Sequence, residues 1–170
     1  MVSPRLDDLE CVFASVEAFL ESSPGEMISV CTIFDNEEVG SHTRQGAAST
    51  FLSDVLSRIG EAFGKTRSGY LQMLAGSFMI SADNAHGMHP GHPEKADITC
   101  RTCLNKGIVI KFHGGQRYTT DAYSEAVMKE LCREAEVPYQ IYCNRSDIPG
   151  GSTLGNISAG QVSIPAADIG

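Results

Sequence analysis

Two adjacent carboxylates, Glu37 and Glu38, close an apolar run that extends from Met27 to Phe34. Successive residues leaving a strand point in different directions, so one carboxylate can bind a metal while the other faces water or a substrate. The run carries Ile28, Val30, Thr32, Ile33 and Phe34, a β-branched and aromatic set that predicts a buried strand. Asp35, Asn36 and Gly40 mark the turn that ends it. In open α/β sheets, ligands bind at the carboxyl ends of strands. A solvated acidic turn has the same composition, so the pair gains meaning only from the rest of the chain.

Other acids fall at comparable places. Asp83 follows a second apolar run, in Ser81-Ala82-Asp83-Asn84-Ala85-His86-Gly87-Met88-His89-Pro90. Asp147 follows a third, and Asp7 and Asp8 open the first helical pattern. Carboxylates that converge on one sheet edge repel one another and are costly without a cation. Hard divalent metals relieve that repulsion, and carboxylates with histidines suit zinc, manganese or cobalt. A two-metal site also prepares water as a nucleophile at neutral pH and needs one nearby carboxylate as base. His86 and His89 share the loop of Asp83 and read either as a polar cap or as substrate contacts. Lys111 reads either as a solvated lysine at a strand end or as a local cation.

The elements that must position these residues follow from periodicity. Leu9, Val12, Phe13, Val16, Phe19 and Leu20 recur at helical spacing, which predicts an amphipathic helix from Asp7 to about Ser22, stopped by Ser23-Pro24-Gly25. A second helix is expected after Gly46, with Phe51, Leu52, Val55, Leu56, Ile59 and Phe63 on one face, and a short third around Tyr70–Ala75. Strands are expected at Phe78–Ala82, Gly107–Phe112 and Tyr139–Cys143, and a possible further one at Gln161–Pro165. A long helix over Asp121–Glu136 places Tyr123, Val127, Leu131 and Ala135 in one row. Ser146–Gly155 reads as a Gly/Ser loop whose Gly150-Gly151-Ser152-Thr153 stretch can offer backbone N–H groups to a carbonyl, or is a plain turn. Helices alternating with buried strands predict α/β layers on a mainly parallel sheet.

Composition narrows the classes. The chain's 170 residues suit one domain, and 42% hydrophobic with 20% charged residues is a globular balance. A net charge of -8 argues against nucleic acid as a partner and requires a local cation for any acidic substrate. No apolar run is long enough to cross a bilayer, and Met1-Val2-Ser3-Pro4-Arg5 does not open a signal peptide, so neither a membrane nor export is expected. Six cysteines, mostly inside the predicted elements, suit buried thiols in a reducing compartment. Cys100-Arg-Thr-Cys103 has no second CxxC to complete a zinc site and reads as structural.

The blocks Ser3-Pro4-Arg5-Leu6-Asp7, Asp35-Asn36-Glu37-Glu38-Val39-Gly40-Ser41 and Ser81 to Pro90 resemble those of the aspartyl aminopeptidases, the M18 family of di-zinc metallopeptidases. The resemblance continues through Val109-Ile110-Lys111 and Gln116-Arg117-Tyr118 to Ser152-Thr153-Leu154-Gly155, essentially the whole chain. Glu-Glu-Val-Gly alone does not separate this family from the related M42 aminopeptidases. The resemblance implies a three-layer α/β sandwich of the zinc-peptidase (phosphorylase/hydrolase-like) fold, with a mostly parallel central sheet and helices on both faces. It implies that Asp7 bridges two divalent metals, zinc with manganese or cobalt as substitutes, and that Glu38 and Asp83 are terminal metal ligands. Glu37 would be the general base, Lys111 the cation that pairs with a substrate Asp or Glu side chain, and His86 and His89 substrate contacts. A cis Asp7-Asp8 peptide is also implied. So are peptide substrates with N-terminal Asp or Glu, a cytoplasmic location and a homo-oligomer, a dodecamer in the family.

One departure from the family pattern matters. The family's two histidine ligands lie in a His-X-Asp segment near its N-terminus and in a Met-His-Ser segment, and neither segment occurs here. His42, His86, His89, His92 and His113 sit in no such motif. The family's inserted second domain is absent as well. These residues are therefore expected to form the C-terminal part of the catalytic domain, an incomplete fold with carboxylate-only ligation, weak zinc binding, little activity alone and exposed edges that favour self-association. The alternatives are a related di-metal aminopeptidase of other specificity, or a non-catalytic assembly domain that keeps the peptidase fold.

Overall fold

A computed structural model describes residues 3–23 and 25–170. Pro24, part of the helix-stop signal, and Met1 and Val2 lie outside the described residues. Five helices and four strands follow in the order α1 (Leu6–Glu21), α2 (Phe51–Ala62), α3 (Arg67–Ala75), β1 (Met79–Ala82), β2 (Ile108–Phe112), α4 (Ala122–Glu134), β3 (Tyr139–Cys143), α5 (Leu154–Ala159) and β4 (Ala166–Ile169), with one 3-10 turn at Pro93–Lys95. The sheet order is β1-β4-β2-β3. β1 runs parallel to β4 and β2 parallel to β3, while β4 meets β2 antiparallel at Ile110 and Ile169. Two of three pairings are thus parallel, in a mixed sheet.

Alternation along the strands gives the sheet two covered faces. On one, Ile110 and Ala167, both without exposure, pack with Met128 of α4, joined by Phe78, Ile108, Phe112, Ile141 and Ile169. On the other, α5 lies so close that a Cβ on Gly155 would fall 2.7 Å from the Cβ of Ser81 and 2.4 Å from the Oδ1 of Asp168. Only glycine permits that approach. Helices on both faces of one sheet match the layered α/β expectation.

Several elements differ from their sequence expectations. The run 27–34 forms no strand, and most of its apolar residues are exposed, Met27 at 70% and Ile33 at 53%, while Phe34 is half-buried edge-on to Phe51. Strand composition specifies a residue's fitness for a sheet, but the ladder needs a neighbour, and none of the described residues supplies one here. α1 forms where its periodicity placed it, yet buries none of its residues, and Leu9, Phe13 and Leu20 remain open.

The buried row of α4 is Ser124, Met128 and Cys132, one residue beyond the expected Tyr123, Val127, Leu131 and Ala135. Its first turn explains the rotation. Asp121 caps the helix by accepting the Ser124 amide at 2.8 Å, while Ser124 Oγ accepts the Asp121 amide at 2.9 Å. This capping box fixes the helix entry with Ser124 inward. Tyr123 instead sits at the rim, edge-on to Phe78 at 6.3 Å. The last strand begins at Ala166 rather than spanning Gln161–Pro165, because Pro165 has no N–H to give to a ladder; its carbonyl accepts from Met79 at 2.9 Å. Part of the Gly/Ser loop's end is helical as α5.

Candidate metal centre

Three segments meet beyond the C-terminal end of β1. The chain enters α1 with Arg5 in the left-handed region (φ 64°) and with Asp7 in an extended conformation inside the helix start. The Asp7-Asp8 peptide is cis, as the resemblance implied. Asn84, just past β1, ties α1 to this loop: its Nδ2 donates to Glu10 Oε2 at 3.2 Å and its Oδ1 accepts from the Cys11 thiol at 3.4 Å. The result brings Asp7, Asp8 and Asp83 together, with one carboxylate oxygen of each within 4.8 Å of the others.

Glu37 and Glu38 occupy a self-closed turn. Asn36, at φ 61°, accepts the Ser41 amide at 3.0 Å and donates its side chain to Thr43 Oγ1 at 3.1 Å. Gly46 is required where the chain doubles back, since a Cβ there would fall 2.3 Å from the Ser41 carbonyl oxygen. Glu37 faces the acidic cluster closely enough that Asp83 and Asp7 act on its charge. Glu38 is exposed and stands outside the three-carboxylate set, on the rim of a cleft of about 620 Å³ shared with Glu37, Ser152, Asn156 and Gln161.

The electrostatics are those of crowded like charges. Asp8 is pushed up to about 6, by burial first and then by Asp83 and Asp7. Asp83 is raised by burial, with Lys111 pulling against it and Asp7 adding to it. Glu37 is raised by burial, Asp83, Glu38 and Asp7. The Cys11 thiol, half-buried beside Asp8, is pushed up to about 12 by its burial and then by the Asp8 charge, and stays protonated. Asp8 Oδ1 is buried without any hydrogen-bond partner. An orphaned carboxylate oxygen among like charges is the donor set a divalent cation neutralises. These residues fit a metal, with Asp7, Asp8 and Asp83 as its candidate ligands.

Lys111 lies in the interior, 3% exposed. Its Nζ donates to the Asp83 carbonyl and to the Asn84 carbonyl at 3.3 Å, and stands 3.7 Å from Asp83 Oδ2. The Tyr118 ring covers it at 5.8 Å. Within the described residues the ammonium thus holds the Asp83 loop. His86 is exposed, its ring 6.1 Å from that of Tyr142, and its carbonyl accepts from Thr102. His89 is turned toward its own loop: Nδ1 accepts the Gly91 amide at 3.1 Å and the ring lies 5.3 Å from that of His92. All six thiols are free, including Cys100 and Cys103.

Sequence reasoning counted Asp8 among the converging acids but gave it no role as a ligand, and it missed Asp168. The adjacency of Asp8 to Asp7 was the available signal for the first. For the second it was a lone acid inside the apolar segment Ala166-Ala167-Asp168-Ile169. Among the described residues no helix is long and apolar enough to cross a membrane.

Comparison with known proteins identifies the family. The family model described as aminopeptidase I zinc metalloprotease (M18) matches residues 1–170. A probable M18 family aminopeptidase 2 of Clostridium acetobutylicum is 49% identical over 99% of this chain and 39% of its own length. Its namesake in Mycobacterium leprae is 41% identical over the same shares. Among solved structures, yeast aminopeptidase 1 superposes with a TM-score of 0.84 at 31% identity, covering 99% of this chain and 38% of that one. The mApe1 dodecamer of Saccharomyces cerevisiae gives 0.84 at 30%, over 99% and 38%. This chain therefore spans about 39% of the length of the relatives it matches. Over that span it belongs to the M18 family of aminopeptidase I zinc metalloproteases.

Proposed function

We propose that this chain supplies the carboxylate half of a metallo-aminopeptidase site that releases N-terminal Asp or Glu from peptides. The observation that carries the reading is the convergence of Asp7, Asp8 and Asp83 on one spot beside Glu37, with Asp8, Asp83 and Glu37 raised and one Asp8 oxygen unpartnered. Asp7, Asp83 and Glu38 would hold two divalent cations, zinc by family, with manganese or cobalt as substitutes. When bound, they would supply Lewis acidity toward water and the scissile carbonyl.

Glu37 takes the proton of the attacking water and returns it to the leaving amine nitrogen. A carboxylate raised by its surroundings is the better base for that exchange near neutral pH. Lys111 supplies the positive charge for an acidic N-terminal side chain in a protein of net charge -8, and a substrate carboxylate would share it with Asp83. His86 and His89, exposed on the loop after Asp83, contact the substrate backbone. The N–H groups of Gly150, Gly151 and Ser152 face the carbonyl. Like the yeast relative that forms a dodecamer, the whole protein assembles as a homo-oligomer; the six free thiols are in keeping with work in a reducing compartment, the cytoplasm.

The test is hydrolysis by the protein at its full encoded length of otherwise equal peptides beginning with Asp, Glu or Leu. Preference for Asp and Glu, lost in Lys111→Met, supports the reading. Preference for Leu in the wild type overturns the acidic specificity and leaves a related aminopeptidase. The 170 residues alone, ligating through carboxylates, are expected to bind zinc weakly and to turn over little substrate; robust zinc-dependent release of aspartate by them would overturn that.

A further inference from the structure

Asp168 is wholly buried in β4, yet the chemistry described above makes no use of it. Its carboxylate is spanned by two segments distant in sequence. Thr153 Oγ1 donates to Oδ1 at 2.8 Å, and the Thr119 amide donates to Oδ2 at 2.5 Å. Its backbone amide donates to Thr120 Oγ1 at 2.9 Å. Asp168 is the register partner of Ser81 on β1, two residues before Asp83. The Asp83 amide in turn donates to the carbonyl of Ile169 at 3.1 Å.

We propose that Asp168 is a positioning residue for the aminopeptidase reaction, clamping the Gly150–Thr153 loop and the Arg117–Thr119 segment to the strand pair that carries Asp83. The proposal rests on the function argued above. Thr153 is buried and ends the glycine-rich loop whose amides are assigned above to the substrate carbonyl. Thr119 follows Tyr118, whose ring covers the Lys111 ammonium. Arg117 reaches back to the Gly150 carbonyl at 2.6 Å, so both segments are also tied to each other. Gly155 lets α5 close directly on Asp168, whose side chain is wholly buried. One buried carboxylate thereby sets two segments of the proposed substrate site against the metal ligands. A misplacement of about 1 Å at such parts costs on the order of a hundredfold in rate.

The test uses the protein at full encoded length, with Asp168→Asn, Asp168→Ala and Thr153→Val. Asparagine keeps the shape: its Oδ1 accepts the Thr119 amide and its NH2 donates to Thr153 Oγ1, reversing that bond. Asp168→Asn is expected to hold kcat within about fivefold of wild type. Asp168→Ala and Thr153→Val are expected to lower kcat about ten- to a hundredfold, with KM within about threefold. Hydrogen exchange at the Thr119 amide rises in Asp168→Ala and stays protected in Asp168→Asn.

A folded Asp168→Ala or Thr153→Val protein with kcat within threefold of wild type overturns the proposal. So does an Asp168→Asn protein as inactive as the alanine variant. Where Asp168→Ala does not fold, Thr153→Val decides. If the wild type cleaves no peptide, the functional reading has failed, and unchanged exchange at Thr119 in Asp168→Ala is then what defeats the clamp.

Discussion

Two groups of acids in this molecule are built on opposite terms. Asp168 has no exposure, and donors meet both carboxylate oxygens. Asp7, Asp8 and Asp83 are partly open, crowd to within 4.8 Å, and leave Asp8 Oδ1 unpartnered. The first carboxylate is satisfied by the chain itself, so its charge stabilises the fold it sits in. The second group is satisfied only in part, by Lys111 against Asp83. What the fold leaves unneutralised is what a cation must complete. Burial alone would rank Asp168 as the more functional acid; counting donors reverses the order.

The contrast is sharpest where charge is removed without changing shape. On the proposed function, Glu37→Gln in the protein at full encoded length should lower kcat by about a thousandfold, because a positioned general base contributes on the order of 10² to 10⁴. Thermal stability should not fall, since the change removes one of several repelling charges. A variant within tenfold of wild type would show that another group takes the proton.

Asp168→Ala should destabilise by about 2–4 kcal/mol, since the Thr119 amide and Thr153 hydroxyl lose a buried charged acceptor. Chemical denaturation would measure it, and a loss below about 0.5 kcal/mol would erase the distinction between the two groups. Asp8→Asn has the opposite sign in metal-free protein. It should stabilise by about 1 kcal/mol, the rise of Asp8 to about 6 being discounted for its half exposure. In the same variant zinc should raise stability less than in wild type.

Why the sequence yields one group and hides the other follows from what each depends on. Glu37, Glu38 and Asp83 follow apolar runs, and Asp7 opens a clear helical period, so they are visible as acids at element ends. The meeting of Asp7 with Asp83 depends on chain crossings, which local periodicity does not encode; there the family resemblance did the placing. Asp168 is legible only once β4 is known to pair with β1. The expected strand Gln161–Pro165 lies too early, because Val162 and Ile164 have strand composition while Pro165 has no N–H for the ladder, which starts at Ala166. The segment Met27–Phe34 has the composition of a buried strand and lies open, since composition reports fitness and pairing is nonlocal. The burial of Lys111 was unforeseen: a charged residue in a central strand becomes intelligible only with the Asp83 and Asn84 carbonyls above it.

pH separates the two kinds of acid again. In metal-free protein Asp8 titrates higher folded than unfolded, so the folded state holds the proton more tightly. Stability from this group is therefore full at low pH and lost as pH rises from about 4 through 6. Zinc should cancel the loss by favouring the ionised form. Asp121 behaves in the opposite sense and serves as the internal control. Its carboxylate accepts the Ser124 amide at the head of α4, and that bond holds its pKa below the ordinary value. Its contribution is present above the unfolded value near 3.8 and disappears as pH falls through the lower folded value. Asp121→Ala should cost about 1 kcal/mol at pH 7 and close to nothing well below that range. Denaturation of wild type, Asp8→Asn and Asp121→Ala across pH 3 to 7, with and without zinc, gives two curves of opposite slope. Only the Asp8 curve should respond to metal, and a zinc-dependent Asp121 curve would mean that the cation acts on the whole fold rather than on the acidic cluster.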